Sequence, residues 1–425
     1  MMMTPMESSI TDVQFIKVRQ KFEDRKIHNL SETINEELTR IAFNELIQPD
    51  MNIGLAVGSR GIQNIDIIIK SIVDEIKRAK GIPFIIPSMG SHGGATAAGQ
   101  IKVLEKYRIN ESTIGAQIRS SMEVIELGRL ANGLPVYFDK TAMEMDGIII
   151  VNRIKVHTAF KSDIESGLFK MMAVGMGNHL GAGLAHSLGA EGLKDCIVEF
   201  AGVIMSKAPI ICGLGILENA YDETYKLTAA RPAEIEYVDK TLLNECKLLM
   251  PNLPIHDLDI LVVEEIGKNI SGTGMDTNVV GGILAFNERD YFPPLIKKII
   301  VLDLSDETQG NAMGVGMAHL ITQRAYNKID FKDTYENAIT STFLDRVRIP
   351  IVAQSDRKAM DIALKTIWNY PDTKPRIIII KNTLQLHEMY VSEAVWTLIK
   401  TKPDIETIGP WKKLAFNQEG NLLSE

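Results

Sequence analysis

Short, unbroken apolar runs separated by stretches of helical spacing recur along this chain. The run Asn52–Val57 is followed by the turn Gly58-Ser59-Arg60-Gly61 and an amphipathic pattern from about Ile65 to Lys80. Pro83–Ile86 leads into the loop PSMGSHGGA and a second helical pattern from about Thr96 to Tyr107. Gly147–Val151 is continuously apolar, which predicts a strand buried on both faces. The loop NRIKVHTAFKSDIESG follows it, then the segment Leu168–Ala173 and a glycine-spaced stretch through Gly189. A strand at Ile210–Leu217 ends this half. Strands alternating with helices predict a parallel sheet covered on both faces.

The pattern restarts near Pro251–Pro254. Asp259–Val263 leads into GKNISGTGMDTNVVGG, Ile299–Leu304 into SDETQGNAMG, and a strand at Arg376–Ile380 precedes a C-terminal helix near Val391–Lys400. The expected fold class is therefore α/β: two α/β domains with mainly parallel sheets and an active site in the cleft between them. The expected division is a catalytic and cofactor-binding domain over residues 1–255 and a smaller domain over 256–425.

Composition narrows the function. A chain of 425 residues with 45% hydrophobic and 24% charged residues is ordinary globular material for two domains. Its net charge of -8 and its lack of a Lys/Arg block argue against a nucleic-acid partner. Cys196, Cys212 and Cys246 lack metal-site spacing, and such sparse use suits a reducing compartment. No signal peptide and no membrane span are read from the sequence, so the expected location is the cytoplasm.

Ligands of open α/β sheets bind outside the carboxyl ends of the strands. The loops there present Arg60, His92 and His157, followed by Lys170, His179 and His186. Each alone reads as an ordinary surface or capping residue. Together, at successive strand ends poor in carboxylates, they favour a small anion and proton transfer upon it. The loop PSMGSHGGAT carries the most information: its glycines admit a close ligand, and the helix behind it turns free N–H groups toward an anion. It matches neither G-x-G-x-x-G nor a zinc motif.

At these residues the sequence resembles the lactate racemase family, whose members carry a nickel–pincer nucleotide. The likeness rests on Ser59-Arg60, Gly90-Ser91-His92, His157, the block Glu165-Ser-Gly-Leu-Phe-Lys170 with its later histidine, and the stretch Gly272–Asn278. The resemblance implies that His92 and His157 are paired acid and base groups and that Arg60 grips a substrate carboxylate. It implies that Lys170 holds the nucleotide covalently, with Ser91, Asp276 and Asn278 beside it, and that His186 ligates nickel, with His179 as the competing candidate. Lys268 would add a second cation for the substrate from the mobile loop Gly267–Gly274.

The implied reaction inverts a 2-hydroxy acid by moving a hydride, which avoids a carbanion beside a carboxylate. The hydroxyl proton leaves one face and returns to the other, a task for two imidazoles. Three departures point to a hydroxy acid other than lactate: Val57 stands where the family has Asp, Gly93 where it often has Arg, and Asp276-Thr-Asn-Val-Val-Gly281 replaces D-x-N-L-Y-Q. Two other classes remain open at this level, a nicotinamide-dependent oxidoreductase and a non-catalytic small-anion-binding protein of the same fold.

Overall fold

The computed structural model describes residues 9–423 apart from 60, 285–291 and 368–373, and leaves aside the side chains of residues 190 and 191. The chain divides into two compact units, Glu23–Met250 and Met1–Phe22 with Pro251–Glu425. The first strand, β1 (Gln14–Gln20), opens the chain but pairs antiparallel with strands near the C-terminus, from Phe15 opposite Ser392 to Arg19 opposite Glu388. Phe15 and Val18 are fully buried in that sheet. The division at residues 255 and 256 expected from sequence assigns this strand to the N-terminal domain; its pairing and burial put it in the other unit.

The unit Glu23–Met250 holds β2 (Asn52–Val57), β3 (Ile82–Pro87), β4 (Gln117–Ile118), β5 (Val124–Arg129), β6 (Pro135–Asp139), β7 (Gly147–Arg153), β8 (Ile210–Glu218) and β9 (Thr224–Ala230). Its main sheet runs β4-β3-β2-β7-β8-β9, parallel except for β9, while β5 and β6 form a separate antiparallel pair. β2 and β7 sit at the centre, and their apolar side chains are buried on both faces. Helix Ile65–Arg78 lays Ile65, Ile68, Ile69, Ile72, Val73 and Ile76 onto the sheet, the spacing of one helical face.

The chain runs from β2 to β3 and β4 on one side, then returns to β7 and β8 on the other. The strand order therefore reverses between β2 and β7. Such a reversal opens a crevice at the carboxyl ends, because the connections leave in opposite directions. Both expected histidine-bearing loops start at that edge.

The second unit holds β10 (Asp257–Ile266), β11 (Leu295–Leu304), β12 (Leu320–Thr322), β13 (Ile351–Ala353), β14 (Ile377–Asn382), β15 (Gln385–Ser392), β16 (Ile405–Thr407) and β17 (Lys412–Lys413). β13-β12-β11-β10-β14 is parallel, and β15, β1, β16 and β17 extend the sheet in antiparallel fashion. The fold is α/β, with both main sheets largely parallel but each carrying antiparallel strands. Among the described residues no helix is long and apolar enough to cross a membrane.

Candidate active site at the carboxyl edge of the sheet

The loop after β3 is shaped by Gly90, Gly93, Gly94 and Ala95, all at positive φ. Gly93 is the constrained position. A Cβ there would lie 2.6 Å from the backbone N of Gln100 and the carbonyl carbon of Gly99. Backbone atoms do not yield as a side-chain tip does, so a side chain at this position has no room. Thr96 caps the helix Ala97–Lys106 by accepting the N–H of Gly99 at 3.1 Å. His92 is exposed at the apex, and its Nδ1 lies 2.5 Å from Ser59 Oγ in the loop after β2. The Tyr107 hydroxyl donates to the Ser59 carbonyl at 2.8 Å and ties that loop to the same helix. Arg60, the next residue, lies outside the described residues.

The loop after β7 is closed at its base, where the N–H of Lys155 donates to the Ser166 carbonyl at 2.9 Å. Inside it, His157 is half-buried and stacks on the fully buried Phe160 with ring centroids 4.2 Å apart. Its backbone N–H donates to Glu165 Oε2 at 2.6 Å, and Ala159 donates its N–H to His157 Nδ1 at 3.1 Å. Glu165 is only 1% exposed.

Lys170 ends a short helical turn, Leu168–Lys170, which passes into the π-helical turn Met171–Gly175. Such turns are rare and recur at functional sites. The turn begins on a carboxylate borrowed from elsewhere. Asp239, on helix Ile235–Leu249, accepts the N–H of Leu168 at 2.9 Å and that of Phe169 at 2.8 Å. Gly167 makes the approach possible, since a Cβ there would lie 2.4 Å from Asp239 Oδ1. Burial pushes the Asp239 carboxyl up to about 6, with the two N–H donors opposing it. Sequence reading missed Asp239; a buried acid inside an amphipathic helix was the only signal.

The segment after Lys170 returns to the His92 loop. Gly90 donates its N–H to the Gly175 carbonyl at 3.2 Å, and a Cβ on Gly90 would meet Ala182 Cβ at 2.9 Å. Ala182 belongs to helix Asn178–Ser187, which carries both His179 and His186. The two histidines are two helical turns apart and therefore share a face, and both are exposed. Asn178 anchors the helix start, donating to Asp139 Oδ2 at 2.6 Å. Burial raises the Asp139 carboxyl above its ordinary value. Ser91 lies half-buried beside His92.

In the second unit, Asp276 and Asn278 are buried together. Asp276 Oδ1 accepts both the N–H of Asn278 at 2.9 Å and its Nδ2 at 2.8 Å, so the aspartate serves as a helix cap. Lys268 Nζ donates to the Gly272 carbonyl at 2.7 Å and to Asn337 Oδ1 at 3.0 Å. The loop Gly267–Gly274, expected to be mobile, is tied end to end by the N–H of Gly267 donating to the Gly274 carbonyl at 2.9 Å. Its glycines serve close packing: a Cβ on Gly274 would lie 1.8 Å from the Met313 carbonyl oxygen. Among the described residues no three His, Cys, Asp or Glu side chains gather as a metal site.

Comparison with known proteins bears on this geometry. Residues 3–161 match the family model for the lactate racemase N-terminal domain, a span that includes Arg60, His92 and His157 and stops short of Lys170. No curated protein matches. Among solved structures, the lactate racemase apoprotein from Thermoanaerobacterium thermosaccharolyticum is similar, with a TM-score of 0.52 and 14% identity over 87% of this chain and 94% of that one. That identity speaks for the fold alone. The family match thus covers the loops bearing His92 and His157, and the likeness to the solved structure is one of α/β fold.

Proposed function

We propose that this protein is a racemase or epimerase of a small 2-hydroxy acid, with His92 and His157 handling the hydroxyl proton. The observation that carries the reading is the shared sheet edge. His92 and His157 follow the parallel strands β3 and β7, which flank β2 on either side of the point where strand order reverses, and Ser59, in the loop after β2, touches His92. Arg60 binds the substrate carboxylate as a bidentate donor. The two imidazoles hold and move the hydroxyl proton on opposite sides of the substrate carbon, and the rigid loops fix their separation.

The residues also fit a nickel–pincer nucleotide. Lys170 offers an amine for covalent attachment, and His186 offers an imidazole donor to the metal, with His179 on the same face as the alternative. When bound, that group supplies an electrophilic carbon able to accept a hydride. Ser91, Asp276 and Asn278 are the further proposed contacts to it, and Lys268 a further contact to substrate. Asp276 caps the turn Thr277–Val280 that carries Asn278, and Lys268 is held by Asn337.

The test is direct. Protein carrying the cofactor is incubated with enantiopure 2-hydroxy acids of increasing size, and products are resolved by chiral chromatography. Appearance of the opposite enantiomer, lost in His92→Asn and His157→Asn, is the expected outcome. A loaded protein that leaves every acid unchanged would contradict the proposal.

A further inference from the structure

Glu165 has no assigned part in the reaction, yet its geometry governs His157. Its two carboxylate oxygens close one loop at both ends: Oε2 accepts the N–H of His157 at 2.6 Å and Oε1 accepts the N–H of Ser162 at 3.2 Å. A charged acceptor on two backbone donors makes strong hydrogen bonds, and the site is dry, because Glu165 is 1% exposed. Lys247 Nζ lies 3.5 Å from Oε1 and balances the charge from the outside. Between the clamped ends, the chain turns so that Ala159 aims its N–H at His157 Nδ1, 3.1 Å away, while Phe160 backs the ring.

A backbone N–H can only donate. Nδ1 must therefore be the acceptor nitrogen, and a neutral His157 ring carries its proton on Nε2. His92 differs, because its Nδ1 faces the Ser59 hydroxyl, which can donate or accept.

We propose that Glu165 is a positioning residue for His157: by holding the N–H groups of His157 and Ser162 it keeps Ala159 on Nδ1 and fixes the neutral ring as the Nε2–H tautomer. The consequence for catalysis rests on the racemase reading above. At rest His157 offers a hydrogen bond from Nε2 to the substrate oxygen.

Long-range proton–nitrogen correlation spectra of the protein without cofactor read this directly, at a pH where imidazole is neutral. The His157 signals are assigned by their loss in His157→Asn. The expected result is Nε2–H in excess over Nδ1–H by roughly tenfold beyond an unconstrained histidine, the effect of one backbone hydrogen bond. Glu165→Gln places an amide where a carboxylate oxygen accepted, so that excess should fall several-fold. Lys247→Met leaves both acceptors in place and should keep the wild-type ratio. Should Glu165→Gln fail to fold, Glu165→Asp, too short to span both donors, serves the same purpose. In loaded enzyme, Glu165→Gln should lower kcat while the mass adduct on Lys170 persists. A wild-type Nδ1–H majority, or a folded Glu165 variant with an unchanged ratio, would overturn the proposal. The spectra need neither cofactor nor turnover: a wrong tautomer in an active racemase sinks this inference alone, and the right tautomer in an inactive protein sinks the racemase reading alone.

Discussion

Ser59 Oγ and His92 Nδ1 lie 2.5 Å apart, joining the loop after β2 to the loop after β3 across 33 residues of sequence. The contact gives the exposed His92 ring a hydroxyl partner at Nδ1. A hydroxyl–imidazole bond contributes about 1 kcal/mol, close to a fivefold rate effect if it holds only the productive orientation. Ser59→Ala should therefore lower kcat roughly fivefold with nickel and nucleotide content unchanged, read by steady-state kinetics on loaded protein. A variant with lost cofactor and normal kcat per loaded site would place Ser59 elsewhere.

Asp239 predicts a pH dependence of stability. Its folded carboxyl titrates at about 6 against an ordinary 3.8, because burial outweighs its two N–H partners. A folded value raised in this way favours the native state below the ordinary pKa, and that contribution is lost as pH rises through the folded value. Asp239→Asn has no such titration. The melting-temperature advantage of wild type over Asp239→Asn should thus shrink between pH 4 and pH 7, followed by calorimetry. An advantage that grows over this interval would mean the carboxylate is stabilised where it sits.

Gly93 sits under a steric constraint. At φ +68 and with backbone atoms of Gly99 and Gln100 in the way, Gly93→Ala is strained twice. The expected cost is about 1–3 kcal/mol, seen as a lower denaturant midpoint. A neutral result would show that the loop has another conformation.

Strands β2 and β7 and the helix Ile65–Arg78 are legible in sequence, because each is a local pattern answering to burial on its own sheet. β1 is not, since its partner strand β15 is contributed by residues far along the chain. The loops bearing His92 and His157 are found by their position after β3 and β7. The clamp on Lys170 is hidden, because Asp239 reaches Phe169 across 70 positions and nothing local marks it. The loop Gly267–Gly274 misleads for a related reason: small polar residues suggest freedom, while its order comes from internal bonds and from Met313 and Asn337.

Attachment and metal binding should separate by mutation. Lys170→Ala should remove the covalent mass adduct entirely. His186→Ala should keep the adduct and lose nickel at least tenfold, measured by mass spectrometry and metal analysis. Nickel lost from His179→Ala and kept in His186→Ala would assign the ligand to His179.

The proposed reaction inverts a hydroxy acid by transfer of the carbon-bound hydride to and from the bound cofactor, with two imidazoles handling the hydroxyl proton. It is tested most directly with substrate deuterated at the carbon bearing the hydroxyl, incubated with loaded enzyme in ordinary water. The inverted product should retain its deuterium, and turnover should be slower than with protiated substrate. Product that has exchanged its deuterium for solvent hydrogen would show proton abstraction at carbon and contradict the account.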